Sequence, residues 1–593
     1  MIDPRGTRRR LALTVVMVFA ILAVFAVRLV DIQVVRAGEL AAGAAEHRTR
    51  DVVVYGTRGS IVDHDGVVLA DSVQRFDITA SPVNVPFGAT TDMRRDGEWV
   101  QVPTSDAIAA IAALTGQDPA ALTAVLTDAL AEDPEANFAY LVRKVTLDVF
   151  EQVRALGIPW VYSELHPARS YPSGAVAGNL VGFLGTDEPL TGVELYMDEC
   201  LAATNGRTVY EAGADGVALP GTAIAETEAS DGGTVRLTIR SDLQWYVQQL
   251  LGQEGGRLGA DWATAFVVRV ADGHVMAAAD WPSVDPNDFL AVPGDDRGAR
   301  SFVSPYEPGS IMKPFTFASL VDAGEVDYGE QLRVPSEYTE GLPPGYRITD
   351  AWIHGEMRWT AAGVLAESSN IGTSMLSTRL SAAERRDYLT AFGFDQPTAV
   401  GFLGEDPGQL RELDELDPVT NVTQQFGQGM TATSAQIASA YQALGNHGVH
   451  VPLTLVEGCE LPDGTVVAPE PSEGTRVVSQ RAADETVRVM EQVVSRGALS
   501  SLVDFPGYRV AAKTGTAEVA ENGQYGSQRI ISVAGLVPAD DPEYVVVVTI
   551  AKPDSMRVSA AVAPAFEAIV EQVIKTFRIE PSAQNSPKVP LTW

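Results

Sequence analysis

Ser310 and Lys313 are three residues apart, and the apolar run after them predicts a helix from Ser310 to Ala323 that Gly324 ends. Both side chains then lie on its first turn. The pair suits covalent catalysis, because a serine hydroxyl can pass its proton to an amine whose pKa is lowered by burial or a nearby cation. N–H groups at the start of the helix would stabilise an oxyanion. Alone the motif is weak, since about one Ser-x-x-Lys is expected by chance in a chain this long.

Ser368-Ser369-Asn370 is a second short polar motif. It lies between the helical run Thr360–Ala366 and another helix that begins near Ile371. A loop at this point would present a hydroxyl and an amide to a cleft. Taken by itself, the motif is more typical of an ordinary turn with a helix cap.

Lys513-Thr514-Gly515-Thr516 is the most specific motif, because it arises by chance in only about one such chain in a few hundred. It lies on a predicted strand, where side chains alternate between faces and Gly lets a ligand backbone approach closely. A lysine and two hydroxyls can bind a carboxylate. An exposed strand can also receive an extended peptide by β-addition.

The elements around these motifs predict an α+β fold. A helical face after Ser241 and an apolar stripe from Phe566 to Phe577 predict helices at the two ends of the region. A helix-and-loop region, a helical subdomain, spans about 307–450. Runs of strand-forming residues lie at 263–270, 274–279, 508–517, 530–537 and 544–550. Strands at both ends with helices between them indicate an antiparallel sheet flanked by helices.

Length and charge restrict the function classes. The chain has 593 residues and a net charge of −34, from 43 Lys and Arg against 77 Asp and Glu. The length predicts two or more folded units. The acidity argues against nucleic acid as a partner, because phosphate binding needs Lys and Arg. Two cysteines and seven scattered histidines indicate neither a metal site nor a disulfide scaffold, and we interpret Cys200 and Cys459 as isolated residues.

The amino-terminal segment predicts a membrane anchor at residues 11–30. Four arginines in the first ten residues precede the apolar run and place residues 1–10 in the cytoplasm. A cleaved signal peptide is the alternative, since Ala42-Gly43-Ala44 resembles a cleavage site, but the apolar run is longer than a typical signal core. The rest of the chain would face the cell-wall side of a bacterium, where a disulfide is chemically permitted.

Composition also predicts the boundaries between segments. Residues 31–222 mix short strand-like runs, turns and a helical stretch near 105–131. The acidic, Gly-ended segment 223–234 predicts a linker. The α+β unit follows at 235–578, and the polar, Pro-spaced residues 579–593 predict a flexible tail.

The three motifs, taken together and in this chain order, are the signature of penicillin-binding proteins and serine β-lactamases. The sequences around them, at 306–314, 364–372 and 507–517, resemble a class B penicillin-binding protein of the division (septal, FtsI-type) branch. The amino-terminal stretch 58–63 is similar to the opening motif of that family's pedestal (dimerisation-type) domain. His64, where the family usually has Arg, and Arg240, where Asp is common, depart from the pattern outside the three motifs.

The resemblance implies a serine D,D-transpeptidase. Ser310 would attack the D-Ala-D-Ala bond of a peptidoglycan stem peptide, and Lys313 would accept the serine proton. Ser368 would relay a proton to the leaving amine, while Lys513 would keep the local charge that lets Lys313 be neutral. A second stem peptide would then resolve the acyl-enzyme, and a β-lactam would acylate the same serine.

Substrate-binding roles are implied for Asn370, which would bond the peptide amide, for Thr514 and Thr516, which would hold the substrate carboxylate, and for Gly515 between them. No cofactor or metal is implied. The implied partners are stem peptides on lipid-linked or nascent glycan, β-lactams, an FtsW-type glycosyltransferase and other divisome membrane proteins.

Three alternatives share the motifs. A β-lactamase or D,D-carboxypeptidase would use water as the acceptor, but the anchor and the long first unit argue against a lactamase. A penicillin sensor would be expected to carry several membrane spans or an intracellular effector, whereas only ten residues precede the predicted span. A non-catalytic divisome scaffold should have lost one of the motif residues, and none is lost. An elongation enzyme paired with a RodA-type polymerase remains open, although the Glu-Pro-Gly-Ser and Ser-Ser-Asn versions of the motifs favour septation.

Overall fold

The computed structural model describes residues 4–39, 49–186, 188–211, 219–470, 473–521 and 524–593. Contacts divide the chain into two compact units, one of residues 1–57 and 203–231 and the other of residues 58–202 and 232–593. The cleavage-like motif at 42–44 lies outside the described residues.

The α-helices, in chain order, are α1 Pro4–Val30, α2 Thr104–Thr115, α3 Pro119–Glu132, α4 Leu147–Ala155, α5 Gly178–Val181, α6 Gly192–Tyr196, α7 Asp198–Leu201, α8 Ser241–Leu258, α9 Arg300–Val303, α10 Lys313–Asp322, α11 Ala361–Ala366, α12 Asn370–Ser377, α13 Ala382–Ala391, α14 Pro418–Thr423, α15 Ser434–Gly445, α16 Gln480–Ser495 and α17 Ala563–Phe577.

The strands are β1 Thr49–Val54, β2 Ile61–Val62, β3 Val68–Val73, β4 Phe76–Ala80, β5 Thr90–Arg95, β6 Glu98–Pro103, β7 Ala139–Val145, β8 Val161–Leu165, β9 Ala168–Ser170, β10 Gly206–Glu211, β11 Ile224–Thr227, β12 Thr234–Leu237, β13 Trp262–Arg269, β14 Val275–Trp281, β15 Gln331–Val334, β16 Met357–Thr360, β17 Val449–His450, β18 Val456–Glu460, β19 Val466–Val467, β20 Thr475–Arg476, β21 Ala511–Glu521, β22 Gln524–Val537 and β23 Tyr544–Ala551.

The first unit contains the predicted anchor. α1 runs through the apolar segment and continues into a π-helical turn, Asp31–Val35. The stretch Leu11–Val35 is long and apolar enough to cross a membrane, and none of it is buried within the protein. The same unit holds the antiparallel sheet β1–β10–β11, in which Val54 lies opposite Gly206. The apolar helix indicates a membrane anchor.

The second unit is built around an antiparallel sheet in the strand order β14–β13–β23–β22–β21. β13 and β23 are apolar along both faces because helices cover the sheet on both sides. α8 and α17 bury their apolar stripes against one face, and α15 packs against the other. This arrangement confirms the predicted α+β fold. β21, which carries the third motif, is an edge strand.

The helical stretch predicted near 105–131 is two helices rather than one. α2 ends at Gly116, and α3 begins after Asp118, whose carboxylate accepts the Ala120 N–H. The two helices meet at an angle of 118°. A glycine stop, an aspartate cap and Pro119 in the first turn explain the break.

A second sheet, in the order β19–β18–β12–β2–β3–β9, combines strands from distant parts of the chain. Cys200 in α7 and Cys459 in β18 form a disulfide across 259 positions. Their interpretation as isolated residues was wrong. Gly233 donates its N–H to the Cys200 carbonyl (2.8 Å) and leads into β12, where Val235 lies opposite Cys459. Only this tertiary pairing brings the sulfurs together.

The last fifteen residues also differ from the expectation of a flexible tail. Ile579 and Val589 are buried. The Ser582 hydroxyl donates to Asp540 (2.7 Å), and the Gly507 carbonyl accepts the Ser582 N–H (2.9 Å). The proline spacing prevents regular secondary structure here, but it does not prevent the chain from packing on the domain.

Candidate active site

Ser310 lies on a 3-10 turn, Gly309–Met312, that leads directly into α10. The predicted helix therefore begins at Lys313, and its first turn is the tighter 3-10 form. Gly309 donates its N–H to the Gly427 carbonyl (2.9 Å) and fixes the entry to the turn. The Ser310 side chain is half-buried, and its hydroxyl makes no hydrogen bond with any residue that the structure describes. It is therefore open to an incoming electrophile.

The third motif lies on the edge strand β21, directly against the 3-10 turn that carries Ser310. A Cβ atom at Gly515 would lie 2.9 Å from the Ile311 side chain and 3.1 Å from the Pro308 carbonyl oxygen. Only glycine permits that approach without displacing the serine turn. Lys513 is completely buried and Thr514 is buried, whereas Thr516 is exposed at the open edge of the sheet.

The second motif forms the link between α11 and α12. Ser368 has a φ of +60°, a left-handed conformation that is uncommon for a residue with a side chain and that often marks functional sites. Ser369 caps α12 by accepting the Gly372 N–H at 2.8 Å. Asn370 is the first residue of α12, so its side chain lies at a helix amino end.

Lys313 joins the first motif to the second. Its Nζ donates to the Ser368 carbonyl oxygen at 2.5 Å and to Asn370 Oδ1 at 2.7 Å, and it lies 3.3 Å from Ser368 Oγ. The third motif meets the same hydroxyl, because Lys513 Nζ donates to Ser368 Oγ at 2.8 Å and to the Thr514 carbonyl at 3.1 Å. The Ser368 hydroxyl is thus shared by the two amines.

Burial makes both lysines weak bases. Loss of water, and then the neighbouring Lys513 charge, hold the pKa of Lys313 well below its ordinary value, against the opposing effect of Asp350. Burial lowers the pKa of Lys513 to about 7, and the Glu367 carboxylate opposes that change. The lowered pKa favours the neutral form of Lys313, which can accept a proton from a neighbouring hydroxyl.

Asp350 is a site residue that the sequence did not reveal. Its carboxylate accepts the Ser369 hydroxyl at 2.7 Å and the Ile371 N–H at 3.0 Å. His354 Nε2 contacts the same carboxylate at 3.0 Å, and both side chains are almost fully buried. Asp350 lies about twenty positions before the second motif and belongs to no recognisable sequence pattern, so only the fold could identify it.

Glu307 opens the Glu-Pro-Gly-Ser stretch of the first motif, but the sequence indicated no role for its carboxylate. Its Oε1 accepts the Gly429 N–H at 2.9 Å and the Tyr525 hydroxyl at 2.9 Å. Burial raises the pKa of Glu307, and these two hydrogen bonds partly offset that rise. The Glu307 carboxylate therefore links the β21–β22 hairpin and the turn at 427–429 to the segment just before Ser310.

Known proteins resemble the chain over most of its length. Residues 263–571 match the penicillin binding protein transpeptidase domain, and residues 53–189 match the penicillin-binding protein dimerisation domain. The chain is 33% identical to penicillin-binding protein PbpB of Mycolicibacterium smegmatis, over 97% of this chain and 91% of that protein. It is 30% identical to peptidoglycan D,D-transpeptidase FtsI of Escherichia coli K12, over 76% and 74%.

The fold is also similar to a solved structure. The crystal structure of penicillin binding protein 3 from Mycobacterium tuberculosis, complexed with aztreonam, superposes with a TM-score of 0.69. The two sequences are 26% identical over 91% of this chain and all of that one.

Proposed function

Because the chain belongs to the penicillin-binding protein transpeptidase family, we propose that this D,D-transpeptidase crosslinks peptidoglycan stem peptides through an acyl-enzyme on Ser310. The observation that carries the proposal is the Ser368 hydroxyl, which lies 3.3 Å from Lys313 Nζ and 2.8 Å from Lys513 Nζ. Three motifs that together span about two hundred residues of the chain thereby form one proton-transfer network beside an open serine.

In the acylation step, Ser310 Oγ forms a bond to the carbonyl carbon of the penultimate D-Ala while its proton passes to neutral Lys313 Nζ. The N–H groups of Ser310 and Thr516 stabilise the resulting oxyanion. The peptide C–N bond then breaks, and the proton passes from Lys313 through Ser368 Oγ to the leaving D-Ala amine. Asn370 hydrogen-bonds the donor peptide amide in this arrangement.

In the second step, the amine of another stem peptide attacks the ester carbonyl carbon. The ester C–O bond breaks, and the proton of the amine returns to Ser310 Oγ through Lys313. The side chains of Thr514 and Thr516 hold the substrate carboxylate before acylation, and Gly515 leaves room for the donor backbone along β21. A β-lactam acylates Ser310 by the first step and is released slowly.

The test of this proposal is labelling of the full-length chain in detergent by a fluorescent penicillin. Ser310→Ala should abolish the labelled band, because no other hydroxyl occupies the nucleophile position. Ser319→Ala is the matched control, since that hydroxyl lies in α10 and donates to the Phe315 carbonyl within the same helix. Equal labelling of wild type and Ser310→Ala would disprove the assignment. Product analysis with an added amine acceptor separates peptide transfer from hydrolysis.

We also propose a location and a set of partners. The helix at 11–30 would anchor the protein with residues 1–10 in the cytoplasm and the catalytic unit on the wall side. The Cys200–Cys459 disulfide supports a location of the catalytic unit outside the cytoplasm, because disulfides persist in oxidising compartments. Residues 31–222 would form a pedestal joined by a 223–234 linker to the transpeptidase domain at 235–578, consistent with the two matched families.

The septum is the proposed site of action, in complex with an FtsW-type glycosyltransferase and other divisome membrane proteins. The similarity to a relative named FtsI supports this. A functional fluorescent fusion should form a midcell band in dividing cells. A uniform signal along the lateral wall would instead assign the enzyme to elongation.

A further inference from the structure

Residues 587–593, Pro-Lys-Val-Pro-Leu-Thr-Trp, lie along the element that leads into the second motif, and we call them the 587–593 strap. The Thr360 N–H donates to the Leu591 carbonyl at 3.0 Å, and the Thr360 hydroxyl donates to the Pro590 carbonyl at 2.7 Å. Thr592 forms an antiparallel bridge with Trp359. The strap therefore adds to the open edge of the small β15–β16 sheet, directly before α11.

Thr360 is also the cap of α11, since its hydroxyl oxygen accepts the Gly363 N–H at 3.0 Å. A Cβ atom at Gly363 would lie 2.0 Å from the Leu591 carbonyl oxygen. Alanine is a better helix former than glycine, so helix propensity does not explain glycine at this position. The close passage of the strap backbone does.

Several further contacts hold the strap in place. Gln492 Nε2 of α16 donates to the Pro587 carbonyl at 2.9 Å, and Arg496 donates to the Val589 carbonyl. Trp593 Nε1 donates to the Leu332 carbonyl at 3.2 Å. Two arginines of the small sheet, Arg333 and Arg358, lie over the Trp593 ring at 6.0 and 5.3 Å. These contacts bury Val589 and leave Leu591 partly buried.

The path from the strap to the catalytic groups is short and rigid. α11 has only six residues, Ala361–Ala366, and all of them are buried. Ser368 follows two positions later in its left-handed conformation, held by Lys313 and Lys513. Because α11 is short and fully buried, a displacement of its first turn should be transmitted to Ser368.

We propose that the 587–593 strap is a positioning element that sets Ser368 and Asn370 against Lys313, so that the strap controls the rate of serine acylation. This inference rests on the proposed acyl-enzyme function. The residues of the strap do not touch substrate. They act through Thr360, Gly363 and α11.

The first experiment removes the strap from the full-length chain by ending it at Ser586. Stopped-flow acylation by a fluorescent penicillin separates the dissociation constant Kd of the initial complex from the acylation rate constant k2. We expect k2 to fall about tenfold or more with Kd little changed, because small misplacement of catalytic groups lowers rate more than binding. An acetylated peptide of residues 586–593, added in excess, should restore k2.

Gly363→Ala tests the same contact without shortening the chain. In the full-length protein the new methyl group displaces Leu591, so k2 should fall by a factor close to that of the truncation. In the truncated chain the same substitution should have little further effect on k2, because the 2.0 Å clash with Leu591 is gone and only the milder 3.1 Å contact with Trp359 Cβ remains. Gly256→Ala is the matched control, because that helical glycine is exposed with open space around it.

The outcomes separate the two proposals. Loss of penicillin labelling in wild type would disprove the proposed function. Normal wild-type labelling with an unchanged k2 in the truncated and Gly363→Ala proteins would overturn the strap proposal alone. Additive losses in the double variant, or a lower k2 that the peptide does not restore, would also overturn it. If the truncated chain does not fold, k2 of full-length Gly363→Ala decides.

Discussion

At the scale of single residues, the active site depends on two buried amines that share one hydroxyl. A buried ammonium loses its hydration, so the protein favours the neutral form of Lys313 while Lys513 retains its proton up to a pH of about 7. Because the two charges interact, the pair titrates as a unit. The catalytic state is the one in which the pair carries a single proton, held on Lys513.

This predicts a bell-shaped pH profile for the acylation rate. Below the active range both amines are protonated and Lys313 cannot accept the Ser310 proton, so k2 rises with pH as Lys313 becomes neutral. As pH passes through about 7, Lys513 loses its proton and with it the positive charge that helps keep Lys313 neutral, so k2 falls. The measurement is fluorescent-penicillin acylation of the full-length chain from pH 5 to 10.

Lys513→Arg is the control for the alkaline limb. A guanidinium stays charged throughout this pH range. The variant should be slower, because its geometry differs, but its rate should not decline between pH 7 and 9. A wild-type rate that rises steadily up to pH 9 would contradict the assignment of the alkaline limb to Lys513.

At the scale of elements, short connecting segments rather than the main helices position the chemistry. Ser310 lies on a 3-10 turn and Ser368 on the link between α11 and α12. The segment around Asp350 holds the start of α12 through the Ser369 hydroxyl and the Ile371 N–H. Such segments lack a repeating pattern, so each depends on specific hydrogen bonds for its conformation.

Asp350→Asn should therefore slow acylation by about tenfold. The asparagine amide has only one acceptor oxygen, whereas the Asp350 carboxylate accepts hydrogen bonds through both of its oxygens. One buried donor is therefore left facing an NH₂ group without a partner, at a cost of about 1–3 kcal/mol. The substitution also removes a negative charge that raises the pKa of Lys313, so the acid limb of the profile should move to lower pH. A pH titration of k2 measures both effects.

Asp327→Asn provides the comparison, since that exposed aspartate lies in a turn and accepts the Gly329 N–H at 2.8 Å. It should leave both k2 and the pH profile unchanged. If Asp350→Asn reduced thermal stability but left the acid limb in place, Asp350 would be a structural residue without influence on Lys313.

At the scale of the whole molecule, the second unit is held together by pairings between distant parts of the chain. The sheet that contains β2, β12 and β18 combines residues near 61, 235 and 459. The Cys200–Cys459 disulfide closes a loop of 259 positions within the same unit. A long closed loop restricts the unfolded chain strongly, so the bond should contribute appreciably to stability.

Cys200→Ser with Cys459→Ser should lower the free energy of unfolding by roughly 2–4 kcal/mol. The measurement is urea denaturation of the full-length chain, followed by tryptophan fluorescence. Adding a reductant should destabilise the wild type toward the level of the double variant and should not change the double variant itself. An equal response of both proteins to the reductant would show that the disulfide does not stabilise the fold.

The sequence by itself was sufficient to predict those elements that depend on neighbouring residues alone. The apolar run after residue 11, the alternation in the strands and the stripe of the closing helix each determine an element, because period and hydrophobicity act within a few neighbouring residues. The chemical types at 310–313, 368–370 and 513–516 likewise predicted the family, which the comparisons confirmed.

Tertiary structure alone decided the pairing of Cys200 with Cys459, the place of Asp350 beside Ser369 and the packing of the 587–593 strap on Thr360. It also decided that two amines two hundred residues apart meet at one hydroxyl. The physical reason is that these contacts depend on which surfaces become buried together when distant segments fold. That outcome depends on the free energy of the whole core and is not encoded in any short stretch of the chain.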